Sequence, residues 1–209
     1  MPSEIILVSG PIRSGKSDFA EDLAKEKASL LANTKTPGSP GAVAPISLVA
    51  YIATAAREQG DEEMEQRIKA HQARRPSSWL TLEELYQPTL ALHKAYKDGR
   101  RVILLDSFAM LVSNHLLRLE SKDKSFKDRT VYEEQAFTDV LAPILATFSL
   151  ARDMELCLIL VTEEVGWSLT PDNFLGRAYQ NLLGKINSFT AKVASEVWLV
   201  VMGLPQKLK

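Results

Sequence analysis

The chain has little that would tie it to an oxidising compartment, a membrane or a polyanion. A single cysteine in 209 residues leaves no pair for an intrachain disulfide framework. That residue, Cys157, stands inside Leu156-Cys157-Leu158-Ile159-Leu160-Val161 and reads as a core position of a strand rather than a nucleophile. Lysine and arginine (25) nearly balance aspartate and glutamate (26), a formal net charge of −1, so no basic surplus exists for nucleic acid or an anionic bilayer. No apolar run nears the roughly 20 residues that span a bilayer. The N-terminus enters its first apolar segment without the basic region and apolar core of a secretory signal. These absences set the expectation of a cytoplasmic protein with no membrane anchor and no nucleic-acid partner. No internal repeat is visible, and with 45% apolar residues one domain over residues 1–209 can bury a substantial core.

What is present is sharper. The octapeptide Gly10-Pro11-Ile12-Arg13-Ser14-Gly15-Lys16-Ser17 fits the Walker A pattern GxxxxGK[ST] and directly follows the apolar run Ile5-Ile6-Leu7-Val8. A strand that delivers such a loop to the start of a helix builds an anion site. Backbone N–H groups and the positive helix end surround a phosphate, Lys16 reaches the β and γ phosphates, and the Ser17 hydroxyl ligates Mg²⁺. Glycine at 10 and 15 lets the backbone approach the anion and turn sharply. The expectation is a nucleoside triphosphate-binding protein.

Periodicity places the rest. Phe19, Ala20, Leu23 and Ala24 recur at helical spacing to about residue 28, while residues 32–47 carry prolines, glycines and hydroxyl residues with no periodicity and read as a surface-loop insertion. Strands are predicted over 48–54, 101–106 (after an Asp98-Gly99 turn), 156–161 and 197–202. Helices are predicted over 61–74, 107–120, 131–151 and 172–193, with 121–129 as a charged linking loop. His93 falls on a further amphipathic helix. Apolar strands alternating with helices predict an α/β fold, a single P-loop NTPase domain whose mostly parallel sheet has helices on both faces.

Beyond the Walker A loop, an ordered series of segments resembles the bifunctional adenosylcobinamide kinase and adenosylcobinamide-phosphate guanylyltransferase family of cobalamin biosynthesis. The series runs through Tyr51-Ile52-Ala53-Thr54, Asp61-Glu62-Glu63-Met64 with Arg67-Ile68 and His71, Arg75-Pro76 with Trp79, Thr81 and Glu83, and Leu104-Leu105-Asp106 with Ser113-Asn114. It continues with Glu164-Val165-Gly166, Pro171, Asn173, Arg177, Gly184, Asn187 and the tail from Glu196 to Val201. The resemblance covers nearly the whole chain apart from 32–47 and the segment around 121–135. It implies a RecA-like domain, commonly a homotrimer, with ATP and GTP as substrates alongside Mg²⁺. It also implies two reactions: phosphorylation of the aminopropanol hydroxyl of adenosylcobinamide, then transfer of GMP from GTP, through a GMP-histidine intermediate, to give adenosylcobinamide-GDP.

The resemblance assigns roles to His71 and Glu83, and position and charge assign the others. His71 matches the histidine of the pattern RI-x-x-H-x-x-x-RP and so carries the covalent GMP; by its neighbours alone it reads as a solvated helix residue. Asp106, at the end of an apolar strand, reads either as a Walker B carboxylate holding Mg²⁺ or as an N-cap for the next helix. Glu83 matches a nucleotide-binding carboxylate. Ala53, Thr54 and Ala55 occupy the carboxyl end of a strand, where parallel sheets bind ligands. Gln72, Ala73, Arg74 and Arg75 form a basic turn suited to phosphate, or a solvated charge run. His93 and His115 match no catalytic histidine of the family and read as structural. Three departures stand out: Gly10-Pro11-Ile12 replaces the commoner Gly-Gly-Ala, Ser107 stands where Cys is frequent, and Glu163 where Asn is frequent. The residues by themselves leave two other readings open. One is a monofunctional small-molecule P-loop kinase that needs Lys16, Ser17 and Asp106 but not His71; the other is a regulatory protein switched by nucleotide.

Overall fold

The computed structural model describes residues 3–33, 45–55, 75–122 and 129–209. Its centre is a seven-stranded sheet in the order β3-β2-β4-β5-β1-β6-β7. The strands are β1 (Glu4–Ser9), β2 (Val49–Ala53), β3 (Leu80–Glu83), β4 (Val102–Asp106), β5 (Cys157–Val161), β6 (Glu196–Val201) and β7 (Leu204–Lys207). All neighbours pair in parallel except the β6–β7 hairpin. The expected α/β fold with a mostly parallel sheet is therefore present.

The sequence forms this sheet because β1, β2, β4 and β5 are almost uninterrupted apolar runs, suited to burial on both faces. Alternation along each strand sorts the side chains. Ile5, Leu7, Ile52, Ile103, Leu105, Leu158 and Leu160 point to one face, packed by helices α2 (Pro88–Lys97), α3 (Phe108–Lys122), α4 (Arg129–Asp153) and α5 (Phe174–Val193). Ile6, Val8, Tyr51, Leu104, Ile159 and Val161 point to the other, where α1 (Lys16–Asn33) lays Ala20, Leu23, Ala24 and Ala28 against them.

Several boundaries differ from the sequence reading. Helix α1 runs to Asn33 rather than ending near 28, because Leu31 and Ala32 still pack on the core. A short 3-10 turn at Pro45–Leu48 leads into β2, so both ends of the expected 32–47 loop are regular structure and residues 34–44 lie outside the described residues. The same holds for the whole of the predicted 61–74 helix and for 123–128 in the linking loop. Two strands have no counterpart in the sequence pattern. β3 is a four-residue edge with only Leu82 buried, and β7 is exposed throughout. The β6–β7 hairpin closes through Met202 and Gly203, both at positive φ (53° and 79°), as a tight two-residue turn requires. Among the described residues no helix is long and apolar enough to cross a membrane. Cys157 is a buried strand residue whose thiol burial pushes up to about 12, in keeping with a core role.

At the end of the sheet opposite the loop, an ionic cluster ties β1, α1 and the hairpin together. Lys27 Nζ donates to Glu4 Oε2 at 2.7 Å and to Glu196 Oε1 at 2.8 Å, while Lys207 Nζ lies 3.0 Å from Glu196 Oε2. Burial alone would push the Glu196 carboxyl up, but hydrogen bonds from Lys27, Lys207 and the Trp198 indole bring it down to about 2 from the ordinary 4.5. A carboxyl depressed in the folded state stabilises fully above the unfolded value, and that contribution disappears as pH falls from about 4.5 towards 2. Because Lys207 is half-exposed, the expected loss is on the order of 1–2 kcal/mol rather than the full shift. Denaturant titrations across that window should show Glu196→Gln with a flatter pH dependence than the parent; identical slopes would contradict the assignment.

Candidate functional site

Strand β1 ends at Ser9 and α1 begins at Lys16, so the Walker A residues 10–15 form the connecting loop and Ser17 falls in the first turn of the helix. The loop is built from its own backbone: Ser14 N–H donates to the Pro11 carbonyl at 3.2 Å, and Phe19 N–H to the Gly15 carbonyl at 3.0 Å. Arg13 (φ 59°) and Gly15 (φ 86°) take left-handed conformations. The β6–β7 turn backs the loop, with Gly203 N–H donating to the Ser14 carbonyl at 2.8 Å. Glu164 N–H donates to the Gly10 carbonyl at 3.1 Å, tying the loop to the end of β5.

Gly10 is required by close approach. A Cβ there would collide with the Val200 carbonyl oxygen and stand 2.6 Å from Ser14 Oγ. Val200 O is backbone of β6, which is paired on both sides by β1 and β7, and cannot swing away. Gly10→Ala is therefore expected to destabilise the fold by about 1–3 kcal/mol and to weaken nucleotide binding. Thermal melts and nucleotide titration read both; an unperturbed variant would mean the loop does not sit against β6.

Lys16 is only 9% exposed. Its ammonium arches back over the loop, donating to the Pro11 carbonyl at 3.2 Å and lying 4.0 Å from Glu163 Oε1. From the sequence, Glu163 stands out only as a departure from Asn. The signal that could have found it is its place two residues beyond β5, the strand that borders β1.

The parallel registers line up a row along the carboxyl rim. Glu83 is level with Ala53, Ala53 with Asp106, Asp106 with Val161, and Val161 with Val8, just before the loop. At about 4.8 Å per strand, Asp106 stands two spacings and Glu83 four spacings, about 19 Å, from β1. Asp106 thus belongs to the P-loop end of the rim, whereas Glu83 and Lys16 do not converge on one phosphate group.

The flanking residues divide into groups aimed at the rim and groups committed to packing. Ser107 Oγ accepts from Met110 N–H at 3.1 Å, so Ser107 rather than Asp106 caps α3, correcting the N-cap alternative. Asp106 instead meets the phenol of Tyr51, which burial above all, with the Asp106 charge, pushes well above the usual tyrosine value. Thr54 is fully buried. Its hydroxyl donates to the Ser107 carbonyl at 2.6 Å and accepts from Ser107 N–H at 3.0 Å, so it latches β2 to β4 while half-buried Ala53 and Ala55 flank the mouth. Arg75 does not form the outward basic turn read from the sequence. Its side chain is 7% exposed, with the guanidinium carbon 3.2 Å above the Tyr51 ring centre and Nε 3.5 Å from Glu21 Oε1. His71, Gln72, Ala73 and Arg74 lie outside the described residues.

His115 matches its structural reading. Its Nε2 meets the Tyr86 carbonyl at 2.9 Å, and burial first, then Arg118, lowers its basicity. His93 is an exposed residue of α2. Among the described residues no group of three or more His, Cys, Asp or Glu is disposed to hold a metal. The hard oxygens of Ser17 and Asp106 are the donor type Mg²⁺ takes when phosphates and waters complete its shell.

A parallel α/β sheet that feeds a Walker A loop into a helix, with a lysine folded over the loop and a carboxylate on the same rim, defines a P-loop nucleotide-binding protein. The family model described as "CobU: Cobinamide kinase / cobinamide phosphate guanyltransferase" matches residues 41–208. The chain belongs to that family, and with it to the transferases of cobalamin biosynthesis. Similar relatives extend over the P-loop as well. The bifunctional adenosylcobalamin biosynthesis protein CobU of Escherichia coli K12 is 31% identical over 98% of this chain and 99% of its own length. CobU of Salmonella typhimurium is 32% identical over 98% and 99%. CobP of Pseudomonas aeruginosa is 32% identical over 97% and 96%. Among solved structures, the KaiC-like protein PH0186 of Pyrococcus horikoshii aligns with a TM-score of 0.47 at 13% identity, covering 95% of this chain and 71% of that one. The flagellar accessory protein FlaH of Methanocaldococcus jannaschii aligns at 0.48 and 14%, covering 100% and 79%.

Proposed function

We propose that this enzyme performs both reactions of its family description: phosphorylation of adenosylcobinamide, then guanylylation of the phosphorylated product. The observation that carries the reading is Lys16, whose ammonium is held over the Walker A loop at the N-terminus of α1, where phosphate oxygens are stabilised by backbone N–H groups and helix charge. In the first reaction the substrate hydroxyl oxygen bonds to the γ phosphorus, the bridging bond to the β phosphate breaks, and the nucleoside diphosphate leaves as the hydroxyl proton passes to solvent. Lys16 offsets charge on the transferring group and the loop orients it. Ser17 and Asp106 would hold Mg²⁺, which neutralises phosphate charge when bound.

In the second reaction a ring nitrogen of His71 bonds to the α phosphorus of GTP and pyrophosphate leaves. An oxygen of adenosylcobinamide phosphate then attacks the same phosphorus, the P–N bond breaks, and the imidazole returns free. Glu83 is assigned to nucleotide contacts by family resemblance, Ala53 and Ala55 by their place at the carboxyl end of β2, and Gln72, Ala73 and Arg74 by the basic turn that follows His71 in the sequence. The enzyme acts in the cytoplasm as a homo-oligomer, a trimer by the same resemblance.

Incubation with adenosylcobinamide, Mg²⁺, γ-labelled ATP and α-labelled GTP tests the reading. Both labels should appear in one corrinoid product, with pyrophosphate released in equal amount. A corrinoid carrying only the γ label would leave a monofunctional kinase.

A further inference from the structure

Four side chains stand in series behind the rim, in contact through a ring face and an ion pair rather than through a chain of hydrogen bonds. Tyr51 is 4% exposed in β2 and is level with Leu104 of β4; a strand's period of two then puts Asp106 on the same face, one pair further towards the rim. That diagonal puts the Asp106 carboxylate within reach of the Tyr51 phenol. The guanidinium of Arg75 lies flat on the Tyr51 ring, 3.2 Å from its centre, and Arg75 Nε is 3.5 Å from Glu21 Oε1. Glu21 stands one helical turn after Ser17 on the same face of α1.

A buried Arg–Glu pair is a weak source of net stability, because removing both charges from water offsets most of their attraction. A planar guanidinium clamped between a ring and a carboxylate does fix geometry well. We propose that Tyr51, Arg75 and Glu21 are positioning residues: a buried strut that aims the Asp106 carboxylate at the Ser17 end of the P-loop. The inference rests on the reading of Asp106 and Ser17 as oxygen donors to the nucleotide's divalent cation. Groups oriented in this way behind a metal-holding carboxylate usually contribute about 10- to 100-fold in metal affinity.

Tyr51→Phe keeps the ring beneath Arg75 and removes only the hydroxyl. With a non-hydrolysable GTP analogue bound, Mn²⁺ affinity read from the free-ion EPR signal should fall about tenfold. Nucleotide affinity without metal and the thermal midpoint should stay at parent values. In turnover, the Mg²⁺ concentration for half-maximal rate should rise by the same factor, with the rate recovering at saturating Mg²⁺. Arg75→Lys, which retains the charge beside Glu21 but loses the flat stack, should show a smaller shift in the same direction. Unchanged Mn²⁺ affinity in Tyr51→Phe would overturn the strut while leaving the P-loop reading intact. A parent protein that takes up no Mn²⁺ with the analogue would overturn both.

Discussion

Lys16→Ala is expected to cut both phosphoryl and guanylyl transfer by about 10²–10³-fold, equivalent to about 3–4 kcal/mol of lost transition-state stabilisation. The lysine sits at the mouth of the loop with its ammonium within reach of the Pro11 carbonyl and Glu163, so a phosphate entering there meets a charge already in place. Alanine removes that charge and leaves the backbone N–H cradle to act alone. The fold should be little affected, because Glu163 is partly solvated, 35% exposed at its side chain, and water can replace its distant partner. Steady-state assays of each half-reaction beside a thermal melt separate the two effects. Near-parental turnover in both assays would remove the P-loop from the chemistry.

His71→Ala is expected to abolish guanylyl transfer while retaining phosphorylation of adenosylcobinamide. The asymmetry follows from the bond changes. A γ phosphoryl group can pass directly to the substrate hydroxyl and needs no protein nucleophile, whereas the proposed guanylyl route would break GTP at the α phosphorus and hold GMP on the imidazole. A neutral imidazole is nucleophilic near pH 7, and alanine offers no replacement atom. Loss of both activities in a folded variant would mean that His71 serves the P-loop rather than the second transfer.

The parts of this protein written in local pattern were the legible ones. Ile5 to Val8 announce a buried strand, and the loop from Gly10 to Ser17 follows in the register its chemistry requires. Asp106 could be placed at the rim because it terminates an apolar run. Short or exposed elements carry no such pattern: β3 buries only Leu82, and β7 buries nothing, so neither rises above the surrounding polar sequence. Arg75 shows a second kind of opacity. Beside Arg74 it reads as a solvated charge, and its burial depends on Tyr51 and Glu21, residues 24 and 54 positions away. Thr54 likewise reads as a ligand contact until the register of β2 and β4 turns its hydroxyl onto Ser107. Glu163 owes its place beside Lys16 to the β5–β1 pairing, a long-range fact that no window of sequence contains.

Whether GMP is carried on His71 is decided by incubating the protein with Mg²⁺ and GTP labelled in the α phosphate, then denaturing it. The expected product is a labelled polypeptide whose label survives alkali and is released by mild acid, as a phosphoramidate is, with no label in His71→Ala. Label arriving from the γ phosphate, or persisting in His71→Ala, would contradict it.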